Sequence, residues 1–76
     1  MIQINEVNII SIDKSEDSWA IEGEILFEGD FTTSFSVTYI EEYDELDDLE
    51  IEIIPGKYDG KLLKEMIVDA AYTYDE

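Results

Sequence analysis

Residues 19–39 read Trp-Ala-Ile-Glu-Gly-Glu-Ile-Leu-Phe-Glu-Gly-Asp-Phe-Thr-Thr-Ser-Phe-Ser-Val-Thr-Tyr, and their alternation decides the fold. Trp19, Ile21, Ile25 and Phe27 share one face of a strand, while Ala20, Glu22, Glu24 and Leu26 share the other, because successive side chains of a strand point to opposite sides. Residues 31–39 repeat the pattern, with Phe31, Phe35, Val37 and Tyr39 set against Thr32, Ser34, Ser36 and Thr38. Glu28-Gly29-Asp30 supplies the turn between them. A one-residue slip would flip one strand's apolar set to the wrong side, so the two faces agree only when paired residue numbers sum to an even value. The three-residue loop that satisfies this pairs Phe27 with Phe31, Ile25 with Thr33, Gly23 with Phe35, Ile21 with Val37 and Trp19 with Tyr39. Gly23 then lies under the Phe35 ring, a known way of covering a strand glycine.

Working outward, residues 2–12 are isoleucine-rich and extended, but their apolar phase slips. Ile2 and Ile4 are even, Val7 and Ile9 odd, Ile10 and Ile12 even again, and a bulge near residues 6–9 is the expected reconciliation. On the other side, Ile40, Tyr43, Leu46 and Leu49 recur every third position, which predicts one or two helical turns over 41–48 lying on the core. Leu49, Ile51 and Ile53 alternate with Glu50 and Glu52 as a fourth strand, stopped at Pro55-Gly56. From Lys61 the period becomes helical, with Leu62, Leu63, Met66, Ile67, Ala70 and Tyr74 in one stripe and Asp59 as N-cap. The expected architecture is therefore α+β: a four-stranded, mainly antiparallel sheet with one C-terminal helix packed on one face. Residues 1–76 form a single acidic domain, and the second sheet face is open to solvent.

The charge balance is the anomaly. Asp and Glu number 21 against four lysines, with no histidine, for a net charge of −17 at pH 7. Self-repulsion of that size opposes folding while it keeps the chain soluble and steers it toward cationic partners. Nine aromatic residues and 45% hydrophobic content separate the sequence from acidic disordered tails. No apolar run approaches the length of a membrane span, no cysteine is present, and the amino terminus does not read as a signal peptide. A cytoplasmic location is expected.

The residue inventory argues against catalysis. General acid–base and nucleophilic chemistry usually draw on His, Cys or a basic group beside a nucleophile, and phosphate handling on a glycine-rich cradle; none of these occurs. Paired carboxylates alone can hydrolyse glycosides, but so small a sheet leaves little room for a sugar cleft. The stretch Asp44 to Glu50 is acidic enough for calcium, yet it lacks the turn glycine and the D-x-[DN]-x-[DN]-G spacing. Neither a metal site nor any cofactor is expected.

Binding is what remains. Residues 41–52 carry eight carboxylates, and residues 13–52 hold fifteen acids against Lys14 alone. A charge run is usually a solvated face, but these acids continue onto ordered elements where their spacing is regular. Alternate strand residues stand ~6.6 Å apart, comparable to the separation of successive phosphates along one DNA strand, which is roughly twice their ~3.4 Å axial rise. The partner-binding residues read from this pattern are Glu22, Glu24, Glu41, Glu42, Tyr43, Asp44, Glu45, Asp47, Asp48, Glu50 and Glu52.

In size, charge and scarcity of basic residues over its whole length, the chain resembles the DNA-mimic inhibitors of phages and bacteria. These are small acidic proteins of unrelated folds that occupy the nucleic-acid site of a basic protein. The resemblance implies a basic DNA-binding protein as partner: a nucleoid protein, a nuclease, a CRISPR effector or a polymerase. Direct contact with nucleic acid is not expected, since the basic stripe that phosphate contacts require is missing. Two neighbouring readings use the same charge. One is an immunity protein or antitoxin that neutralises a basic nuclease through aromatic anchors such as Tyr43 and Tyr39; the other is an acidic protein-interaction subunit. Lys57, Lys61 and Lys64 gather around the start of the last helix, where they either neutralise nearby carboxylates or meet the acidic segment of a second copy in a homodimer.

Overall fold

The central hairpin forms in the register that the alternation dictates. A computed structural model describes residues 1–74 as β1 (Ile4–Lys14), β2 (Trp19–Phe27), β3 (Phe31–Ile40), β4 (Glu45–Ile51) and α1 (Gly60–Thr73). Neighbouring strands pair antiparallel in the order β1-β2-β3-β4. Phe27 faces Phe31, Gly23 faces Phe35 and Trp19 faces Tyr39. The turn places Gly29 and Asp30 at φ 80° and 59°, a left-handed conformation open to glycine and tolerated by aspartate. With α1 packed against the sheet, chiefly on β1, the architecture is α+β. Among the described residues no helix is long and apolar enough to cross a membrane.

Gly23 is where the hairpin admits no side chain. A Cβ there would collide with the Asn8 carbonyl oxygen and stand 3.0 Å from Cε1 of Phe35 and 3.1 Å from the Ile9 Cα. Two of those three obstacles are backbone and cannot rotate away. Gly23→Ala is expected to cost about 3 kcal/mol, at the upper end of overpacking, read as a lower urea midpoint at unchanged slope. An unchanged midpoint would mean that β1 does not close over Gly23 in solution.

The phase slips of β1 have two causes, and the single bulge expected near residues 6–9 is replaced by two that flank it. Pairing runs Ile4 with Phe27, then Glu6 with Leu26, so Asn5 is surplus. It runs Ile9 with Gly23, then Ser11 with Glu22, so Ile10 is surplus. One bulge changes even to odd and the second changes it back, which a single bulge cannot do. Ile10, left out of the ladder, is 60% exposed.

The expected helical turns over 41–48 are absent. Residues 41–44 form a tight turn, in which the Tyr43 and Asp44 amides donate to the Ile40 and Glu41 carbonyls, and β4 begins at Glu45. A helix here would set Glu41 beside Glu45 and Asp44 beside Asp48, and like charges four residues apart repel on a helix surface. The every-third spacing instead comes from the turn plus another bulge. Leu46 pairs with Tyr39 on the core side, and Asp48 adopts φ 52° where the register shifts between Ser36 and Thr38.

Ile4, the apolar faces of β2 and β3, and Leu63, Ile67 and Ala71 of α1 form the core. The helical stripe is thus centred on Leu63 and Ile67, both expected, and continues at Ala71, with Met66 packed beside it. Leu62 and Tyr74 lie exposed on its flanks, and Ala71 takes the buried place expected of Ala70. Asp59 caps the helix as expected, its carboxylate accepting from the Lys61 and Leu62 amides at 3.1 and 3.3 Å. Two further bonds tie the chain's later part to its beginning: the Ile2 amide, just before β1, donates to the Lys57 carbonyl at 2.7 Å, and the Tyr74 hydroxyl donates to the Ile10 carbonyl within β1 at 2.8 Å.

Candidate functional site

Because α1 covers the odd-numbered face of β2 and β3, the even-numbered face carries the acids into solvent. Register sets them in rows across the sheet. Ser11, Glu22, Ser36 and Glu50 form one row; Asn8, Glu24 and Ser34 form the next, which Glu52 extends by donating its amide to the Ser34 carbonyl at 2.9 Å. Asp13, Ala20, Thr38 and Asp47 form a third. Carboxylates on β2 and β4 are therefore separated by the hydroxyls of β3. Like charges directly opposite one another destabilise a sheet, and the interposed serines relieve this by holding Glu22 and Glu50 two strand spacings apart, ~10 Å. Along each strand the interval is ~6.6 Å. At such distances each pair repels by about 0.5 kcal/mol in water, enough to matter only because there are many.

None of the four lysines occupies a paired position of this face. Lys14 pairs with Trp19 at the end of β1 and holds its ammonium 4.3 Å from the Trp19 ring centroid on the core side. Lys57 lies in the connection after β4, and Lys61 and Lys64 lie on α1. Charge is therefore uneven across the sheet: the paired positions of the open face carry acids and no lysine, while Lys14 and the two helix lysines lie on the other side.

The eleven candidate residues divide into two groups. Glu22, Glu24, Glu45, Asp47, Glu50 and Glu52 share the open face, and Asp48 is exposed at its β4 bulge, where its amide bonds the Asp47 carboxylate at 3.0 Å. Glu41, Glu42, Tyr43 and Asp44 occupy the turn instead. Asp44 is engaged internally: it accepts from the Tyr39 hydroxyl at 2.8 Å and pairs with the Lys64 ammonium at 3.7 Å. The Tyr72 hydroxyl lies 3.3 Å from that of Tyr39 and donates to Glu41 at 3.4 Å. Trp19, Tyr39 and Tyr72 stack edge to face at centroid separations of 5.3–6.2 Å, fastening the turn to the helix. Burial, followed by the hydrogen bonds with Tyr72 and Asp44, raises the Tyr39 pKa well above the ordinary phenol value, so this phenol stays a neutral donor. Of the two aromatic anchors considered from sequence, Tyr39 is buried and Tyr43 is 66% exposed.

Register adds residues that pattern reading had missed. Glu6 and Asp13 of β1 stand opposite Leu26 and Ala20 and extend the anionic face by one strand. The signal for them was alternation, obscured by the two bulges. Ile10, Leu49 and Ile54 are exposed apolar residues that border the same face. Among the described residues no group of three or more acids is arranged to hold a metal ion. What the face offers is an array of hydrogen-bond acceptors with fixed negative charge, fit to receive ammonium and guanidinium groups.

Comparison with protein-family models, with curated proteins and with solved structures found no match to this chain.

Proposed function

We propose that this protein is a non-catalytic inhibitor that occupies the nucleic-acid-binding site of a basic DNA-binding protein, acting in the cytoplasm of a bacterium or of a phage-infected host. The observation that carries the reading is the segregation of charge: an ordered sheet face bearing Glu22, Glu24, Asp47, Glu50 and Glu52 and no lysine at its paired positions, with Lys14, Lys61 and Lys64 on the core and helix side. An acidic surface needed only for solubility gains nothing from excluding cations from one face. Dimensions support it as well. Carboxylates of β2 and β4, ~10 Å apart, fall within the ~6–12 Å range of duplex groove widths, and the long axis of the molecule, 37 Å, is close to one turn of B-DNA at ~34 Å. Targets of matching character are nucleoid proteins, nucleases, CRISPR effectors and polymerases.

Affinity capture from bacterial lysate at low salt tests the proposal. The immobilised protein is expected to retain a basic DNA-binding protein, and added duplex DNA to displace it competitively. Affinity is expected to fall steeply with salt, as charge-driven association does. Changing Lys57 and Lys61 to alanine is expected to leave capture unchanged. A captured protein that still binds its DNA with the inhibitor attached would refute mimicry and leave an acidic adaptor. The immunity-protein reading makes a different forecast: affinity that survives moderate salt and collapses on Tyr43→Ala, since Tyr43 is the exposed aromatic of the turn.

A further inference from the structure

The surplus residue of a bulge goes wherever the kink sends it, and bulges commonly re-aim a side chain beside a binding site. In this protein two bulges from different strands serve one place. Ile10 is the residue left out of pairing in β1, and Leu49 follows Asp48 at the break in β4. Both border a single groove of about 770 Å³ on the open face, together with Ile54 from the segment after β4. Their exposures are 60%, 37% and 55%. Glu22, Glu50 and Glu52 line the same groove, so aliphatic walls and carboxylates alternate within it.

Regular alternation does not produce this arrangement. Without its bulge Ile10 would fall into the ladder, and aliphatic side chains left in water on a face otherwise acidic and hydroxylic gain nothing there. Nor does a surface that only imitates phosphates need them, since an ion-pairing array is satisfied by polar neighbours. The mixture matches a different ligand pattern: an aliphatic side chain flanked by lysines or arginines along a peptide.

We infer that the groove receives aliphatic side chains of the partner at its two walls, Ile10 on the β1 side and Leu49 with Ile54 on the β4 side, while Glu22, Glu50 and Glu52 bind the basic residues beside them. The occupant is thus a basic amphipathic segment of the target protein. This deepens the proposed function and rests on its premise that the open face is the binding face. The apolar contact adds a contribution that salt does not screen, and it gives selectivity among basic proteins that charge alone cannot.

The probe is a pair of synthetic heptapeptides, Lys-Ala-Lys-Leu-Lys-Ala-Lys and the same sequence with serine in place of leucine. Each is titrated at 0.15 M NaCl into isotopically labelled protein and followed by amide chemical shifts. The leucine peptide is expected to bind at least ten-fold more tightly, as burial of one leucine side chain provides, with the largest shifts at Ile10, Ser34, Ser36, Leu49 and Ile54. The double variant Ile10→Ser, Leu49→Ser alters exposed positions, so its native spectrum is expected to persist, and its affinity for the leucine peptide is expected to drop to that of the serine peptide. Equal binding of both peptides to the open face would overturn the apolar groove and leave the acidic-face reading standing. Shifts confined to the helix side, for either peptide, would overturn both. Absence of measurable binding by the leucine peptide would overturn the groove alone, because capture of the DNA-binding protein decides the broader reading independently.

Discussion

Phe27→Ala is expected to leave the chain largely unfolded at 25 °C in low salt. Phe27 is fully buried, lies between Ile4 and Phe31 in the sheet, and meets the Phe31 and Tyr58 rings at centroid distances of 6.4 and 6.0 Å. Truncating a buried phenylalanine costs about 3–5 kcal/mol in lost transfer energy and residual cavity. A domain of this length has only about 4–11 kcal/mol in total, and self-repulsion places this one toward the low end. Collapse of amide dispersion in the NMR spectrum, with partial recovery in 0.5 M salt, is the expected readout. Glu52→Gln, on the opposite face of the sheet, is expected to keep the native spectrum. A folded Phe27→Ala protein beside an unfolded Glu52→Gln one would mean that the helix covers the other face.

The second large effect comes from removing charge. Changing Glu22, Glu24, Glu50 and Glu52 together to glutamine is expected to raise the melting temperature in 20 mM salt and, on the proposed function, to abolish capture of a basic DNA-binding protein. The four carboxylates form a rectangle of ~6.6 by ~10 Å sides, whose mutual repulsion, diagonals included, sums to about 3 kcal/mol in water before screening. At 20 mM salt the Debye length is about 20 Å, so all four feel one another; at 0.5 M it is about 4 Å and the gain disappears. The unmodified protein is accordingly expected to melt higher at 0.5 M than at 20 mM. A flat salt dependence would show that these acids are already compensated. Stabilisation together with loss of binding is the pattern of a surface kept for recognition at the expense of fold stability.

Much of this was legible in the sequence where alternation was unbroken. The β2–β3 hairpin and its register followed from parity and loop length together, because even-sum pairing puts Trp19, Ile21, Ile25 and Phe27 on the same side as Phe35, Val37 and Tyr39, and the three-residue turn selects Phe27 with Phe31. Legibility failed wherever the chain added a residue to a strand. Asn5, Ile10 and the Asp48 bulge each reset the phase, and in β4 the reset produced a false three-residue period that read as helix. The same cause concealed part of the site. Glu22, Glu24, Glu50 and Glu52 could be placed on one face from parity alone, whereas Glu6, Asp13 and the aliphatic wall of Ile10 and Leu49 needed the bulges to be located. Asp44 shows the reverse difficulty, because nothing in an acidic run tells which carboxylate will find a tyrosine hydroxyl and a lysine across the fold.

Every strand pairs with its neighbour in sequence, whereas the helix that completes the core comes last and docks back on the first strand. On a ribosome the meander can therefore zip hairpin by hairpin as it emerges, since local pairings close quickly. Throughout that interval the face formed by Trp19, Ile25, Phe27 and Phe35 has nothing over it, until Leu63 and Ile67 leave the exit tunnel. An uncovered apolar sheet is the form in which nascent chains clump together. Here the reverse side of that sheet carries the repulsive charge, so two unfinished chains are pushed apart while each waits for its own lid. The same charge that opposes compactness in the finished protein is thus expected to oppose clumping of the unfinished chain.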